Sequence, residues 1–438
     1  MQGQRQRVVI TGMGVISPLG NDPAAVWDKL SQRTSGVDLI QSFPHPDSAA
    51  IRFGGEAREF TGSIDDFGEL EKKLKRSVKK GLRLMCREIE MGVAATQLAL
   101  QDAKIEAGTL PPERIGTLFG SDYILSHPDD LSQGFARCIS DDGSFEMDQW
   151  GENGMAQVEP LWLLKYLPNM PASHVAIYND LRGPSNSLTM REASSNCAIA
   201  EAVTTIRRGI ADAMVTGATG TRIHPLRSVH IALTGKLADS DIPNEACRPF
   251  DKNRQGMVLG EGAGTLILES LDSANARSAN ILGEVVGYCS STVADPSGHP
   301  NYAVAIENVL AGALENANLS AADIGHIHAH GLSTEDCDRG ESSAIQKVFS
   351  GHNTPVVAAK SYMGNLGAGS GMVEIVASLK ALEHQQLFPI LNYETPDPEA
   401  PVVAADPEVH GPGDSFINVN VTPIGQASAV VIKRFTPA

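Results

Sequence analysis

Short segments rich in valine and isoleucine alternate with stretches of helical periodicity along the chain, and the alternation runs through twice. Val8–Thr11, Ile115–Gly120, Ser187–Met190, Ala213–Gly217 and Gly264–Leu268 read as strands of a first half. Ile281–Tyr288, Ile324–His328, Val356–Ala359, Phe416–Asn420 and Ala429–Lys433 read as strands of a second. Apolar positions at helical spacing predict helices over Met91–Ala103, Ala198–Arg208, Ala303–Asn316 and Met372–His384. Strands interleaved with helices predict a layered α/β fold, not an all-β one. Both halves open on a strand, carry amphipathic helices and close on a strand pair, which hints at an internal duplication. A chain of 438 residues suits two fused halves, divided here as 1–264 and 265–438.

Bulk properties narrow the function classes. Hydrophobic content of 42% with 20% charged residues is that of a globular protein. No apolar run reaches membrane-spanning length, and residues 1–7 lead straight into a strand-like segment, so a soluble, cytoplasmic protein without a signal peptide is expected. The six cysteines are scattered without Cys-x-x-Cys spacing, which argues against structural zinc and a disulfide frame. A net charge of −17 disfavours nucleic acid as a partner. One segment runs against that acidity, with Lys72, Lys73, Lys75, Arg76, Lys79, Lys80 and Arg83 within twelve residues. Such a cluster reads as a solvated helix face or as a docking patch for an acidic partner. Residues 126–154 form a polar stretch that reads as an insertion or lid.

Glycines invite a nucleotide reading that fails. Gly12-Met-Gly14 has Ser17 where the dinucleotide fingerprint needs its third glycine, and no Gly-Lys-Ser/Thr loop exists. These glycines are expected to serve close backbone packing, and no bound cofactor is expected. His326, His328 and His330 alternate and could share one strand face around a metal, but no carboxylate at ligand spacing supports them. Two core histidines and one site histidine is the preferred reading.

Four stretches together resemble the β-ketoacyl synthase family, closest to its 3-oxoacyl-acyl-carrier-protein synthase II branch. They are Arg7–Gly20, Cys247–Gly264, Ala329-His-Gly-Leu-Ser-Thr334 and Lys360-Ser-Tyr-Met-Gly-Asn365, and matches run from residue 7 to about 435. The resemblance implies a thiolase-like, five-layered αβαβα fold of two similar halves, usually a dimer with its site between the halves. It implies decarboxylative condensation on acyl-carrier-protein thioesters, with the phosphopantetheine arm as substrate carrier. A cysteine would take the acyl group and two histidines would stabilise the developing charges. Basic residues near the entrance dock the carrier protein in such enzymes, which favours docking by Lys72–Lys80.

Position by position, the resemblance turns up departures. Counting from Gly183-Pro184, and back from Asp212 and Gly217, the family's cysteine falls on Glu192. Cys197 lies five residues further on and reads as a small core residue. Glu192 is expected at a strand-to-helix junction, where the positive end of helix Ala193–Arg208 favours its ionised form. A carboxylate cannot form the family's thioester, and an acyl anhydride would be reactive toward water. His330, Lys360, Glu374 and Thr334 match the family, Asn365 stands for the second histidine, and Leu332 replaces a threonine. A His-Asn pair is still able to polarise a thioester carbonyl. Residues 418–426 stand where the family has a glycine- and phenylalanine-rich loop. Its gating phenylalanine maps to Thr422, ahead of Pro423, which has no N–H.

Three functions follow. The first is a non-condensing subunit similar to the chain-length factors that pair with an active ketosynthase. The second is an enzyme of altered chemistry, a malonyl-thioester decarboxylase or a thioester-processing acyltransferase using Glu192 and His330. The third is an acyl-binding scaffold. Acyl-carrier protein is the expected partner in each, with a homodimer or a heterodimer as the assembly.

Overall fold

Ten of the strands lie where the apolar segments place them, and the pairing among them explains why the pattern repeats. The computed structural model describes residues 6–45 and 51–437, so the reading of residues 1–5 lies outside it. The strands are β1 (Val8–Ile16), β2 (Val37–Leu39), β3 (Phe53–Gly55), β4 (Ile115–Ser121), β5 (Ser185–Thr189) and β6 (Ala213–Thr221). They continue with β7 (Leu259–Ser270), β8 (Gly283–Thr292), β9 (His326–His328), β10 (Val356–Val357), β11 (Ser415–Val421) and β12 (Gln426–Lys433). The additional strands β2 and β3 pair with each other, and β3 also pairs alongside Leu259 and Gly260 of β7. Each is three residues long, too short to show a period in sequence.

The main path of the sheet runs β5-β4-β6-β7-β1-β8-β12-β11-β9-β10. The first five strands come from one half and the last five from the other. Along the sheet the two groups meet at Val9–Glu284 and Ile10–Gly283 of β1 and β8. Within each group the pattern is the same. β4 pairs parallel with β5 and β6, while β7 pairs antiparallel with β6 and β1. Likewise β9 pairs parallel with β10 and β11, while β12 pairs antiparallel with β11 and β8. Two copies of one five-stranded topology account for the repeated alternation. The first group's β7 runs past Gly264 to Ser270, and the second group begins at Gly283.

Helices complete five layers. Helices Ser194–Arg207 and Ser370–His384 lie between the two groups, with Ile199, Val203, Met372 and Val376 buried in a core that both groups share. Arg87–Asp102 and Met170–Asn179 cover the outer face of the first group. Tyr302–Ala317 and Glu335–Val348 cover that of the second. Close approach of helix to strand depends on missing side chains. A Cβ at Gly14 would lie 2.1 Å from the Ala95 carbonyl oxygen. That is the packing role expected of Gly12-Met-Gly14.

The stretch 126–154 forms helix Pro128–Ala136 and a series of short turns. Phe135 packs against Trp150 and Phe145 at ring centroid distances of 5.1 and 5.6 Å, yet Phe135, Ile139 and Met147 stay exposed. Among the described residues, no helix is long and apolar enough to cross a membrane.

Candidate functional site

β5 ends at Thr189 and helix Ser194–Arg207 begins five residues later, so the chain must reverse within a tight turn. Arg191 takes a left-handed backbone there (φ +52°), a strained choice for any residue other than glycine, and a 3₁₀ turn over Arg191–Ala193 delivers Glu192 inward. Glu192 is 1% exposed. Its Oε1 accepts a hydrogen bond from Arg222 Nη2, which forms a buried ion pair, and another from Asn365 Nδ2 at 3.1 Å. Arg191 Nε lies 3.7 Å from Oε2, and Oε2 itself has no hydrogen-bond partner. Burial alone would push this carboxyl up. Arg222 first, then Arg191 and His330, outweigh it and bring the carboxyl down to about 2. The expectation of an ionised Glu192 therefore holds for a different reason. An ion pair, and not chiefly the helix end, keeps the charge.

Asn365 is oriented by its own acceptor. Its Oδ1 takes bonds from Gly367 N at 3.0 Å and Ser370 Oγ at 3.3 Å, which turns the amide nitrogen toward Glu192. His330 follows β9 and is held by its backbone, since Glu341 accepts from the N–H groups of His330 and Gly331 at 2.6 and 2.8 Å. Lys360 Nζ donates to Glu374 Oε1 and to Asn420 Oδ1 at 3.2 Å, and it lies 3.2 Å from His330 Nδ1. The same Nδ1 lies 3.1 Å from Asn420 Oδ1, so the ring's tautomer decides whether it accepts from Lys360 or donates to Asn420. His330 Nε2 is buried without a partner. Burial and then Lys360 hold the His330 imidazole down to about 3, so it is neutral near pH 7.

Glu192, Asn365, His330 and Lys360 are thus brought together at the junction of the two halves. Thr334 is the N-cap residue of helix Glu335–Val348, half-buried and without a side-chain cap bond. Thr422 is buried and closes the β11–β12 hairpin. Its backbone N–H donates to Gln426 O at 2.8 Å, and its hydroxyl accepts from Gln426 N at 3.2 Å. Residues 418–421 of the expected C-terminal loop belong to β11 instead, because Asn418 and Asn420 point one way along the strand and both donate to Glu374 Oε2. Lys72, Lys73, Lys75, Arg76, Lys79 and Lys80 lie on the surface helix Lys72–Gly81, whose only buried residue is Val78, and Lys75 pairs with Asp65 at 2.6 Å.

His326 and His328 are core residues. His326 bonds Pro412 O at 2.9 Å and Ser378 Oγ at 3.0 Å, while His328 bonds Ser378 Oγ at 2.8 Å and Ala359 N at 3.2 Å. Cys197 is half-buried, not core, because it sits on the flank of its helix, and burial pushes its thiol up to about 11.

Sequence reasoning missed the charges behind Glu192. Arg222 lies 3.8 Å from Asp122, which pairs with Arg227, and Arg227 reaches Glu88 at 3.1 Å and the Tyr123 carbonyl at 2.7 Å. All five charged groups are buried. They come from four separate segments, and no spacing rule announces a buried arginine. Asn418 and Asn420 did carry a signal, two amides alternating in an otherwise apolar strand.

Set against known proteins, residues 5–274 match the model for the Beta-ketoacyl synthase, N-terminal domain, and residues 282–394 that for the Beta-ketoacyl synthase, C-terminal domain. A 3-oxoacyl-acyl-carrier-protein synthase 2 of Synechocystis sp. is 33% identical over 407 residues, 90% of each chain. Another, of Staphylococcus aureus, is 30% identical over 443 residues, 99% of each chain. Among solved structures, the ishigamide ketosynthase/chain length factor superposes with a TM-score of 0.84 at 25% identity, covering 99% of this chain and 100% of that one. The fold is the thiolase-like fold of ketosynthases, and the chain belongs to the β-ketoacyl synthase family.

Proposed function

We propose that this chain is a non-condensing, chain-length-factor-like subunit of fatty-acid or polyketide synthesis that works with acyl-carrier-protein thioesters beside an active ketosynthase. The observation that carries the reading is the state of Glu192. At the position the family's cysteine would hold stands a buried carboxylate, ion-paired to Arg222 and held down to about 2. Such a group is a weak base near neutral pH and no thioester-forming nucleophile. It also engages the Asn365 amide, the donor that a His-Asn pair would turn to a thioester carbonyl. Thr422, locked in its hairpin turn, supports the loss of the gating role. The names of the similar proteins support the rest of the reading, the carrier protein through the synthase relatives and the paired assembly through the ketosynthase/chain length factor. In this assignment the Lys72–Lys80 helix docks the acidic carrier protein, and the two halves, which part after β7 and not at Gly264, act as one scaffold.

One observation favours the altered-chemistry reading. His330, Lys360 and Glu374 form a complete, buried hydrogen-bonded set with an unpartnered Nε2. The two readings separate in one assay. Malonyl- and acyl-carrier protein are incubated with the purified chain, with Glu192→Gln alongside, and every thioester is weighed by mass spectrometry. The subunit reading expects unchanged masses. Conversion of malonyl- to acetyl-carrier protein by the wild type, lost in His330→Ala, would replace it with a decarboxylase.

A further inference from the structure

Arg222 and Asn365 converge on one oxygen of Glu192, and the arginine is placed there by groups other than Glu192. Asp122 stands 3.8 Å behind the guanidinium, and Arg227 holds Asp122 in turn, anchored by Glu88 and the Tyr123 carbonyl. The Asn365 amide is likewise pinned from its far side by Gly367 and Ser370. A cation and an amide N–H fixed in this way constitute a receptor for a carboxylate. We infer that Glu192 fills a prebuilt carboxylate site from within the chain, so that the pocket accepts neutral acyl thioesters and rejects thioesters that carry a carboxylate of their own, such as malonyl.

The inference rests on the reading that this site meets carrier-bound thioesters, and it names which of them. The cations around the cluster are already matched. Arg191 and Arg222 face Glu192, Arg222 also faces Asp122, Arg227 faces Asp122 and Glu88, and Lys360 faces Glu374. His330, neutral near pH 7, adds no charge. A malonyl carboxylate entering here would be buried beside Glu192 Oε2 with like charge, and the cation near that oxygen, Arg191 at 3.7 Å, already serves Glu192, which disfavours it. An alkyl or polyketone chain has no such charge to bury. Replacing Glu192 by glutamine keeps the volume and removes the charge, leaving Arg222 without its close carboxylate.

Equilibrium binding of hydrolysis-resistant amide analogues of butyryl- and malonyl-pantetheine tests this on the full chain and on Glu192→Gln. The wild type is expected to bind the butyryl analogue at least tenfold more tightly than the malonyl one, and Glu192→Gln to lose or reverse that preference. Equal binding by the wild type, or a preference unchanged in Glu192→Gln, would overturn the inference and leave the proposed function standing. Binding of neither analogue to either protein would remove the thioester reading and this inference with it. Should Glu192→Gln not fold, Glu192→Ala supplies the second measurement. Acetate should raise its thermal midpoint more than chloride at equal ionic strength while leaving the wild type unmoved, and an equal effect of the two salts would count against the prebuilt site.

Discussion

The charge on Glu192 is held chiefly by one arginine thirty positions away that no motif marks. Glu192 was legible because the segment around it counts without a gap against a known pattern. Arg222 was not, because a buried arginine in sequence looks like any surface arginine until tertiary packing places Asp122 and Glu192 around it. Removing one partner of a buried ion pair leaves the other uncompensated, so Arg222→Met should cost about 3–5 kcal/mol. The pH dependence identifies the mechanism. Glu192 is held down to about 2 from an ordinary 4.5, so its stabilising contribution is complete above pH 4.5 and is lost as the pH falls toward 2. His330, held down to about 3 from 6.5, adds a loss in the same direction as the pH falls below 6.5. In Arg222→Met the largest cause that lowers Glu192 is gone while burial remains, so the carboxyl titrates higher than in the wild type and contributes less stability above pH 4.5. The gap in urea midpoint between wild type and variant should therefore be wider at pH 8 than at pH 4. A gap of equal size at both would mean that Arg222 acts through packing and not through charge.

At the scale of elements, strands and helices followed the hydrophobic pattern, and what escaped was short or depended on partners. β2 and β3 are too brief to show a period, whereas β11, read as Phe416–Asn420, runs Ser415–Val421, and what the pattern did not show was the use of Asn418 and Asn420 within it. Their amides are in fact satisfied by Glu374 on the middle-layer helix Ser370–His384, a contact fixed only once strand and helix pack. The surface helix Lys72–Gly81 is the opposite case, an element whose composition was plain and whose use is not fixed by its packing. It buries only Val78, and its cations face solvent apart from the Lys75–Asp65 pair. Reversing the charge of Lys72, Lys73, Arg76 and Lys80 to glutamate should leave the unfolding midpoint nearly unchanged, since exposed substitutions cost within about 0.5 kcal/mol each. Affinity for acyl-carrier protein should fall at least tenfold, and the salt dependence of binding should flatten. Unchanged affinity and salt dependence would move the docking surface elsewhere.

For the whole molecule, the duplication was visible as a repeated alternation, whereas the identical strand order of the two halves was not, because neighbours in a sheet are chosen by tertiary pairing. That order leaves two ends of very different character. β10 is covered, since the backbone of residues 403–405 pairs with Val356 and both of its residues are buried. β5 ends the other side with three of its five residues exposed, and an uncovered edge of this kind invites pairing with another chain. Exposed apolar side chains gather on the segment that follows β4, among them Phe135, Ile139, Met147, Met155, Leu161 and Leu163. Exposed apolar side chains concentrated on one segment are what a contact with another chain would cover. If the chain is a non-condensing subunit, this segment is expected to contact an active ketosynthase. Co-expression with such a partner should then give a one-to-one complex by native mass spectrometry, and Leu161→Glu with Leu163→Glu should release it without unfolding either chain. A stable homodimer of this 46.4 kDa chain with turnover of its own would sink the subunit reading, because a chain that pairs with itself and reacts needs no partner to supply the chemistry.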